Sequence, residues 1–389
     1  MRIAVLTDSL ADTDGVGRYT IRLLRAIEAK EPGTQVEVAL ARKHPGISSA
    51  VPKHWPVRVV LPPDYFFYMS RPRFLAFLAA SVARVLPMAR RADVVHSIKD
   101  YPHCYVGLLA ARLARKPCVM TAHGTYSVVP LSDPRHARRA RAAFPRFGRI
   151  LCVSEYTRRR MAELLPLENL EVVKNAVDAA HYAPTKGRMV GKPWSRGPYT
   201  LGIGALKERK GHHLSIAGFL QVAREFPELR HFVVGSHEKG DPYVEGILAS
   251  IRAAGCEGRV VFLGNITEEE KVDLLQGAIA FLHTPVVASD GGFEGFGIVY
   301  LEAAASGVPS IATLGSGAED AVVDGRTGFL VRADPGSVAA PLLALLRDAD
   351  LRSAMAAGAA AYAREQTWER NAERVLAIYS EVRRARAPR

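Results

Sequence analysis

The sequence predicts an α/β protein with two doubly wound parallel-sheet domains. A chain of 389 residues is too long for one ordinary core and fits two domains of common size. Strand-like runs alternate with helix-like segments from the first residues onward, which is typical of parallel sheets covered by helices. The alternation stops at residues 183–198, where prolines, glycines and polar residues predict a linker, and then resumes. We therefore predict a first domain over 1–183, a second over 184–366 and a helix over 367–389 that crosses back onto the first domain.

Strand-like runs can be assigned in order along both halves of the chain. In the first domain they are RIAVLTD, VEVALAR, VRVVLP, ADVVHS, PCVMTAH, RILCVS and LEVVKNAV. In the second they are YTLGIG, RHFVVGS, RVVFLGN, AIAFLHTP, PSIAT and GFLV. The segments between most of them have helical periodicity, and the C-terminal helix keeps an apolar face at Ala372, Val375, Ile378, Tyr379 and Val382.

Composition places the chain among globular proteins, with 48% hydrophobic and 23% charged residues. Its four cysteines show no C-x-x-C spacing, which favours a reducing, cytoplasmic compartment. The first apolar run ends at Asp8, too early for a signal peptide, and no later run predicts a membrane span.

The net charge of +13 is concentrated in one region. Residues 51–150 carry 17 Lys and Arg against 4 Asp and Glu, which predicts an anionic partner such as phosphate, nucleic acid or lipid. Segments 65–91 and 135–149 mix aromatic and aliphatic side chains with arginines, as a membrane-surface segment does, although an ordinary crossover helix has the same pattern. We expect contact with an anionic membrane, peripheral on its cytoplasmic face, and no nucleic-acid binding, because no recognised binding module accompanies the charge.

The stretch GGFEGFGIVYLE, residues 291–302, combines glycines with two glutamates. It follows a strand-like run and leads into a helix, so unpaired backbone N–H groups at the helix start can bind a phosphate that glycines allow to approach. The carboxylates of Glu294 and Glu302 would repel that phosphate and must therefore face hydroxyls. A diphosphate flanked by polyhydroxylated groups is a nucleotide-sugar, which we take as the ligand hypothesis.

The motif EGFGIVYLEAAASGVPSIAT, followed by DGRTGFLV, resembles the E-x7-E motif of retaining GT-B glycosyltransferases of family 4, the glycosyl transferases group 1. The resemblance extends over nearly the whole chain. Its other ordered matches are TDSLADTDGVGRYT, TAHG, CVSEYT, VVKNAVD, GALKERKGHH, VVFLGNIT and TWERNAERVLAIY. It implies two Rossmann-like domains facing a central cleft, with the acceptor on the first domain and the nucleotide-sugar on the second.

The resemblance also implies roles for particular residues. The catalytic residues would be His123 at the sugar, Lys210 at the diphosphate and Glu294 at the sugar hydroxyls. The donor-binding residues would be Gly15, Gly17, Arg209, Lys210, Asn265, Ile266, Glu294, Gly295, Phe296, Gly297, Ile298, Val299 and Glu302.

A member of this family would be a retaining hexosyltransferase that uses a UDP- or GDP-sugar and needs neither cofactor nor metal. Its cytoplasmic acceptor would be a sugar or a lipid-linked, polysaccharide or glycolipid precursor. Two alternatives share the architecture: a degenerate carbohydrate-binding protein, and a phosphorylase-type enzyme that carries pyridoxal phosphate on a lysine.

The chain departs from the family pattern at three positions. Ala205 stands where many relatives have an arginine, so one positive charge on the leaving phosphate is missing or comes from Lys207 or Arg209. Asp14 replaces a glycine of the first loop, and Asp320 replaces a glutamate. The pairs Asp12–Asp14 and Asp348–Asp350 have the D-x-D spacing of metal-dependent glycosyltransferases, but we expect Lys210 and the helix N-terminus to supply the positive charge instead.

Overall fold

The computed structural model describes residues 1–185 and 190–385. It contains two compact units, one formed by Met1–Asn175 with the segment from Trp368 onward, the other by Ala176–Thr367. Of the linker predicted at 183–198, residues 186–189 lie outside the described residues. Trp194, within this segment, is buried and donates from Nε1 to Asp273 Oδ2 at 2.5 Å. That part of the predicted linker therefore packs into the second unit.

The first unit is built on one parallel sheet. Its strands are β1 (Arg2–Thr7), β2 (Gln35–Ala41), β3 (Val57–Leu61), β4 (Val94–Ser97), β5 (Cys118–Ala122), β6 (Arg149–Cys152) and β7 (Leu170–Val172). Their order across the sheet is β3-β2-β1-β4-β5-β6-β7. The helices up to this point of the chain are α1 (Gly15–Lys30), α2 (Arg71–Arg91), α3 (His103–Leu113), α4 (Thr125–Val128), α5 (Ala137–Ala143) and α6 (Glu155–Leu164).

The second unit has the same plan with six parallel strands. They are β8 (Tyr199–Ile203), β9 (Arg230–Val234), β10 (Val260–Gly264), β11 (Ala280–Leu282), β12 (Ser310–Thr313) and β13 (Gly328–Val331), in the order β10-β9-β8-β11-β12-β13. Its helices are α7 (Ala179–Tyr182), α8 (His212–Ala223), α9 (Pro242–Ala253), α10 (Glu268–Gly277), α11 (Ile298–Ala305), α12 (Ala318–Ala321), α13 (Pro335–Arg347) and α14 (Ala349–Glu365). β8 and β11 are buried throughout, because helices cover both faces of such a sheet. The predicted fold class, with two Rossmann-like parallel sheets, is confirmed.

Both sheets change winding direction beside their first strand. β1 lies between β2 and β4, and β8 lies between β9 and β11. In open α/β sheets ligands bind at this switch point, outside the carboxyl ends of the strands. In the second unit the segments that leave these ends are 204–211 and 283–297, which carry Lys210 and Glu294. The topology therefore brings two distant motifs to one edge of the sheet.

The last helix, α15 (Trp368–Arg384), belongs to the first unit. It packs against α1, where the Trp368 and Tyr19 rings lie 5.7 Å apart. Its Tyr379 is buried, and the hydroxyl of Tyr379 lies 2.6 Å from Nδ1 of His96 in β4. Residues 386–389 of the predicted helix lie outside the described residues.

Helix α2 is longer and more apolar than we predicted from the sequence. Of the helices in residues 1–185 and 190–385, it alone reaches membrane-spanning length with sufficient hydropathy, 1.3 over its most apolar window. The expectation that no later run predicts a membrane span was therefore wrong on length and composition. Core helices of water-soluble proteins meet the same criterion, and 39% of this window is buried. Leu75 is 50% exposed, as is Tyr65 in the preceding 3₁₀ turn, where Tyr68 is 58% exposed.

Two fully buried histidines predict acid sensitivity of the second unit. Burial lowers the pKa of both His212 and His231 from 6.5 to about 3. Below pH 6.5 the unfolded chain takes up protons that the folded chain does not bind until about pH 3. The free energy of unfolding should therefore be greatest above pH 6.5 and fall as the pH decreases, by about 2 kcal/mol per histidine at pH 5. Guanidinium unfolding at pH 7 and pH 5, followed by tryptophan fluorescence, measures this loss.

A matched pair of variants identifies the residue responsible. The His231 ring shares a 2.8 Å hydrogen bond with the Thr200 hydroxyl, which glutamine can replace in part. His231→Gln should therefore remove about half of the decrease in unfolding free energy that the two histidines cause between pH 7 and pH 5. His237, an exposed histidine of the same unit, supplies the matched control His237→Gln. Equal pH dependence in the wild type and the His231 variant would contradict this assignment.

Candidate functional site

Helix α11 begins at a glycine that no other residue can replace without strain. Gly297, its N-cap, has φ +82°, in the left-handed region. A Cβ at this position would lie 2.7 Å from the ring of Tyr300. The first N–H groups of the helix start at Ile298, and the residue before them therefore has no side chain. Such an N-terminus favours a negatively charged ligand.

Glu294 and Lys210, which are 84 residues apart in the sequence, meet at this edge of the sheet. Lys210 Nζ hydrogen-bonds to Glu294 Oε2, and Arg209 Nη1 lies 3.8 Å from the same oxygen. Lys210 ends a 3₁₀ turn after β8, and Gly211 follows it with φ +68°. A Cβ on Gly211 would lie 1.7 Å from the carbonyl oxygen of Thr284, so glycine allows this turn to approach the end of β11.

The Glu294 carboxylate is buried but remains ionised. Burial by itself would raise its pKa, yet the Lys210 ammonium, the neighbouring His283 imidazole and the Arg209 charge together hold the pKa well below its ordinary value. The side chain is 10% exposed and that of Lys210 17%. A buried carboxylate beside two cations can accept hydrogen bonds from ligand hydroxyls.

Sequence reasoning missed His283, which directly follows β11. Its Nε2 lies 3.5 Å from Glu294 Oε2, and its side chain is fully buried. Burial lowers the pKa of His283, although Glu294 opposes this shift, and the ring is neutral at pH 7. The only sequence signal was a histidine at the carboxyl end of a predicted central strand.

The second glutamate, Glu302, lies on α11 and is 2% exposed. Its Oε1 accepts a 3.0 Å hydrogen bond from the Tyr182 hydroxyl, and Lys271 Nζ lies 3.2 Å from Oε2. Lys271 also donates to the Tyr182 hydroxyl at 2.9 Å and pairs with Glu268 at 2.9 Å. Burial would raise the pKa of Glu268, but Lys271 and Tyr182 outweigh it and lower this pKa. None of these contacts around Glu302 was predicted from the sequence.

Asn265 and Ile266 connect β10 to α10. Thr267 then caps α10 through a reciprocal capping box with Glu270, which fixes the start of the helix that carries Lys271. Asn265 is exposed, and the preceding Gly264 has φ +65°. The predicted donor-binding residues Asn265 and Ile266 thus lead into the helix that contacts Glu302.

In the first unit, the predicted glycines lie at the start of α1. Gly15 is the first residue of α1. Among the described residues, no atom lies within 4 Å of the position that a Cβ would take there, so a ligand can approach the backbone. Gly17 packs closely against the loop that precedes α1. A Cβ on residue 17 would lie only 2.2 Å from the carbonyl oxygen of Ala11. Asp14 caps the helix through a 2.7 Å hydrogen bond from the Gly17 N–H, which explains an aspartate at a position where a glycine was expected.

His123 follows β5 at the carboxyl edge of the first sheet. Its backbone N–H donates to Asp100 Oδ1 at 2.9 Å, and its ring packs edge-on against Tyr19 of α1 at 5.0 Å. Burial lowers the pKa of His123, with Asp100 acting in the opposite direction. The three predicted residues of the first unit, Gly15, Gly17 and His123, are therefore gathered around the start of α1.

Two further features of the sequence have counterparts in the structure. Of the two residues considered as replacements for the missing arginine at Ala205, Arg209 lies beside Glu294, whereas Lys207 is exposed. Asp348 caps α14 by accepting from the Leu351 N–H at 2.8 Å. Within residues 1–185 and 190–385, no group of three or more His, Cys, Asp or Glu side chains is arranged to hold a metal ion.

Two Rossmann-like units and a glycine-capped helix flanked by buried glutamates define the class of the protein, a GT-B glycosyltransferase. The chain belongs to glycosyltransferase family 4. The family described as Glycosyl transferases group 1 matches residues 192–362, and that described as Glycosyltransferase Family 4 matches residues 13–181. The resemblance drawn from the E-x7-E motif is confirmed.

Similar proteins include two mycobacterial enzymes. The GDP-mannose-dependent alpha-(1-6)-phosphatidylinositol monomannoside mannosyltransferase of Mycolicibacterium smegmatis is 31% identical over 73% of this chain and 75% of its own length. The phosphatidyl-myo-inositol mannosyltransferase of Mycobacterium leprae is 29% identical over 98% and 97%. Among solved structures, Anabaena HepE in complex with UDP and glucose superposes with a TM-score of 0.78 at 22% identity, over 98% of this chain and 100% of HepE. Sucrose-phosphate synthase from Thermosynechococcus elongatus gives 0.76 at 18% identity, over 99% of each chain.

Proposed function

We propose that this protein is a retaining hexosyltransferase that moves a sugar from a UDP- or GDP-sugar to a lipid-linked or polysaccharide precursor in the cytoplasm. The observation that carries the proposal is the buried pair of Glu294 and Lys210 beside the N-terminus of α11. This arrangement supports the proposal, because a cation and a carboxylate that can accept from hydroxyls lie next to a helix end that can bind phosphate. A nucleotide-sugar has the matching groups in the matching order.

Charge development explains how these residues would accelerate transfer. When the bond between the anomeric carbon and the diphosphate breaks, positive charge grows on the sugar and negative charge on the departing oxygen. The Lys210 ammonium and the N–H groups of α11 stabilise that oxygen, and donors placed for developing charge lower the barrier. Glu294 holds the sugar hydroxyls, and Glu302 holds the ribose.

Retention follows from attack on the face that the diphosphate leaves. The acceptor hydroxyl forms the new bond to the anomeric carbon as the old one breaks, and its proton passes to the departing phosphate oxygen. No residue is assigned as a covalent nucleophile, and neither metal nor cofactor takes part. In the first unit, His123 would orient the acceptor.

Names of similar proteins guide the choice of substrates. The mycobacterial relatives support GDP-mannose as donor and an inositol-containing glycolipid as acceptor, while the complex of HepE supports a UDP-sugar. Exposed side chains near α2 support a lipid-linked acceptor, because they would suit contact with a membrane. Near α2, Tyr65, Tyr68 and Leu75 are exposed next to Arg71 and Arg73, and aromatic and basic side chains together favour the anionic face of a bilayer.

A donor and acceptor panel tests the proposal. The purified protein is incubated with GDP-mannose, UDP-glucose, UDP-galactose and UDP-N-acetylglucosamine, with and without phosphatidylinositol vesicles, and nucleoside diphosphate release is measured. We expect one donor to be consumed faster with acceptor, equally well in EDTA, and to give a product with the anomeric configuration of the donor by NMR. Nucleotide-sugar binding without turnover would favour the degenerate binding protein, and a visible pyridoxal absorbance would favour the phosphorylase.

A further inference from the structure

Within the part of the chain that the structure describes, the polar contacts to the Glu294 carboxylate end on one of its oxygens. Lys210 Nζ, Arg209 Nη1 and His283 Nε2 each approach Oε2. None of these three contacts involves Oε1. These contacts hold the carboxylate by Oε2. The direction in which Oε1 points therefore depends on how firmly Oε2 is fixed.

The three groups differ in how rigidly they are held. The side chain of Arg209 is 35% exposed and that of Lys210 17%, and both have flexible aliphatic stems. The His283 side chain is fully buried, with its ring 5.9 Å from that of Phe281 and 5.2 Å from that of Tyr300. The Tyr300 hydroxyl also donates to the carbonyl oxygen of His283 at 2.6 Å. Among the three groups, the His283 ring is the one whose orientation is fixed by packing in the core.

The cations also have a second task that His283 lacks. In the function proposed above, Lys210 and Arg209 neutralise the diphosphate, so their attraction is divided between the phosphate and Glu294. Within the described part of the chain, the His283 ring has no hydrogen-bond partner apart from its approach to Glu294. A neutral imidazole beside a carboxylate must turn an N–H toward it, because the carboxylate can only accept.

We propose that His283 is a positioning residue that keeps Glu294 oriented so that Oε1 receives the hydroxyls of the transferred sugar. The proposal rests on the proposed function and assigns a part of it to a residue outside the E-x7-E motif. Removal of the imidazole would leave Oε2 held only by the side chains of Lys210 and Arg209. The carboxylate would then rotate toward the cations.

A difference between two ligands separates this role from a structural one. Glu294 faces the sugar, so the orientation of its carboxylate should matter for a nucleotide-sugar and not for the nucleoside diphosphate alone. For His283→Leu we expect the Kd of the nucleotide-sugar to rise about tenfold, and that of the diphosphate to change less than about twofold. Isothermal titration with the donor selected by the panel, as its unreactive 2-fluoro analogue, and with its diphosphate gives both values.

Further variants keep the test decisive. His283→Gln retains an N–H at comparable reach and should stay within about threefold of the wild type, whereas His283→Asn is too short to reach Oε2 and should resemble leucine. If the leucine variant does not fold, the comparison of Gln with Asn decides. His213, an exposed histidine in the first turn of α8, supplies the control His213→Leu, which should bind both ligands normally.

The outcomes are distinguishable. Equal weakening of both ligands would make His283 a packing residue only and would overturn the proposal, as would unchanged binding of the sugar nucleotide by both the leucine and asparagine variants. A wild-type protein that binds no nucleotide-sugar of the panel would instead overturn the proposed function, before any variant is compared.

Discussion

Replacement of Lys210 by alanine is expected to lower kcat by about 100- to 1000-fold, the effect of losing one preorganised donor to a developing anion. Its ammonium is the cation that hydrogen-bonds to Glu294 at the edge of the second sheet. The measurement is the initial rate of nucleoside diphosphate release at saturating donor. Lys239, an exposed lysine of the same unit, provides the control, because Lys239→Ala should keep full activity.

The same substitution should also reduce stability, and a double variant separates the two effects. Lys210→Ala leaves the buried Glu294 carboxylate without its main partner, which should cost about 3 kcal/mol of unfolding free energy. Addition of Glu294→Gln removes the unpaired charge and should recover most of that loss without restoring turnover. If the double variant regains activity together with stability, Lys210 has no direct part in catalysis.

Replacement of Glu294 by glutamine is expected to lower kcat about 100-fold, because two hydrogen bonds from sugar hydroxyls to a charged acceptor would be weakened. The nucleoside diphosphate does not use this carboxylate, so its Kd should stay the same or decrease as Lys210 loses a competing anion. Steady-state kinetics and titration with the diphosphate give the two numbers. More than a third of wild-type turnover in this variant would exclude Glu294 from the reaction.

The architecture could be predicted from sequence because its signals are local. Each buried parallel strand is a short apolar run, and the glycines of GGFEGFG mark a turn before a helix whatever surrounds them. Helix α9 was missed although Asp241 and Pro242 mark its start and Val244, Ile247 and Ile251 keep helical spacing. Gly246 interrupts that pattern and weakens its periodicity.

Only those site residues that stand in recognisable sequence motifs could be predicted. Glu294, Glu302 and Lys210 stand in recognisable stretches, but the pairing of Lys210 with Glu294 depends on strand order in the sheet. The partners of Glu302 are still less visible. Tyr182 belongs to a four-residue helix, and Lys271 lies behind three glutamates that suggest an ordinary solvated helix start. Such contacts come from tertiary packing and leave no periodic pattern in the sequence.

The membership of α15 in the first unit has a consequence for biosynthesis. On the ribosome, residues 1–175 emerge first, but the helix that covers α1 and reaches His96 is translated only after the entire second unit. Until then the nascent first unit exposes the apolar surface that Trp368 and Tyr379 later cover. The first unit can therefore not be completed before the second has been synthesised.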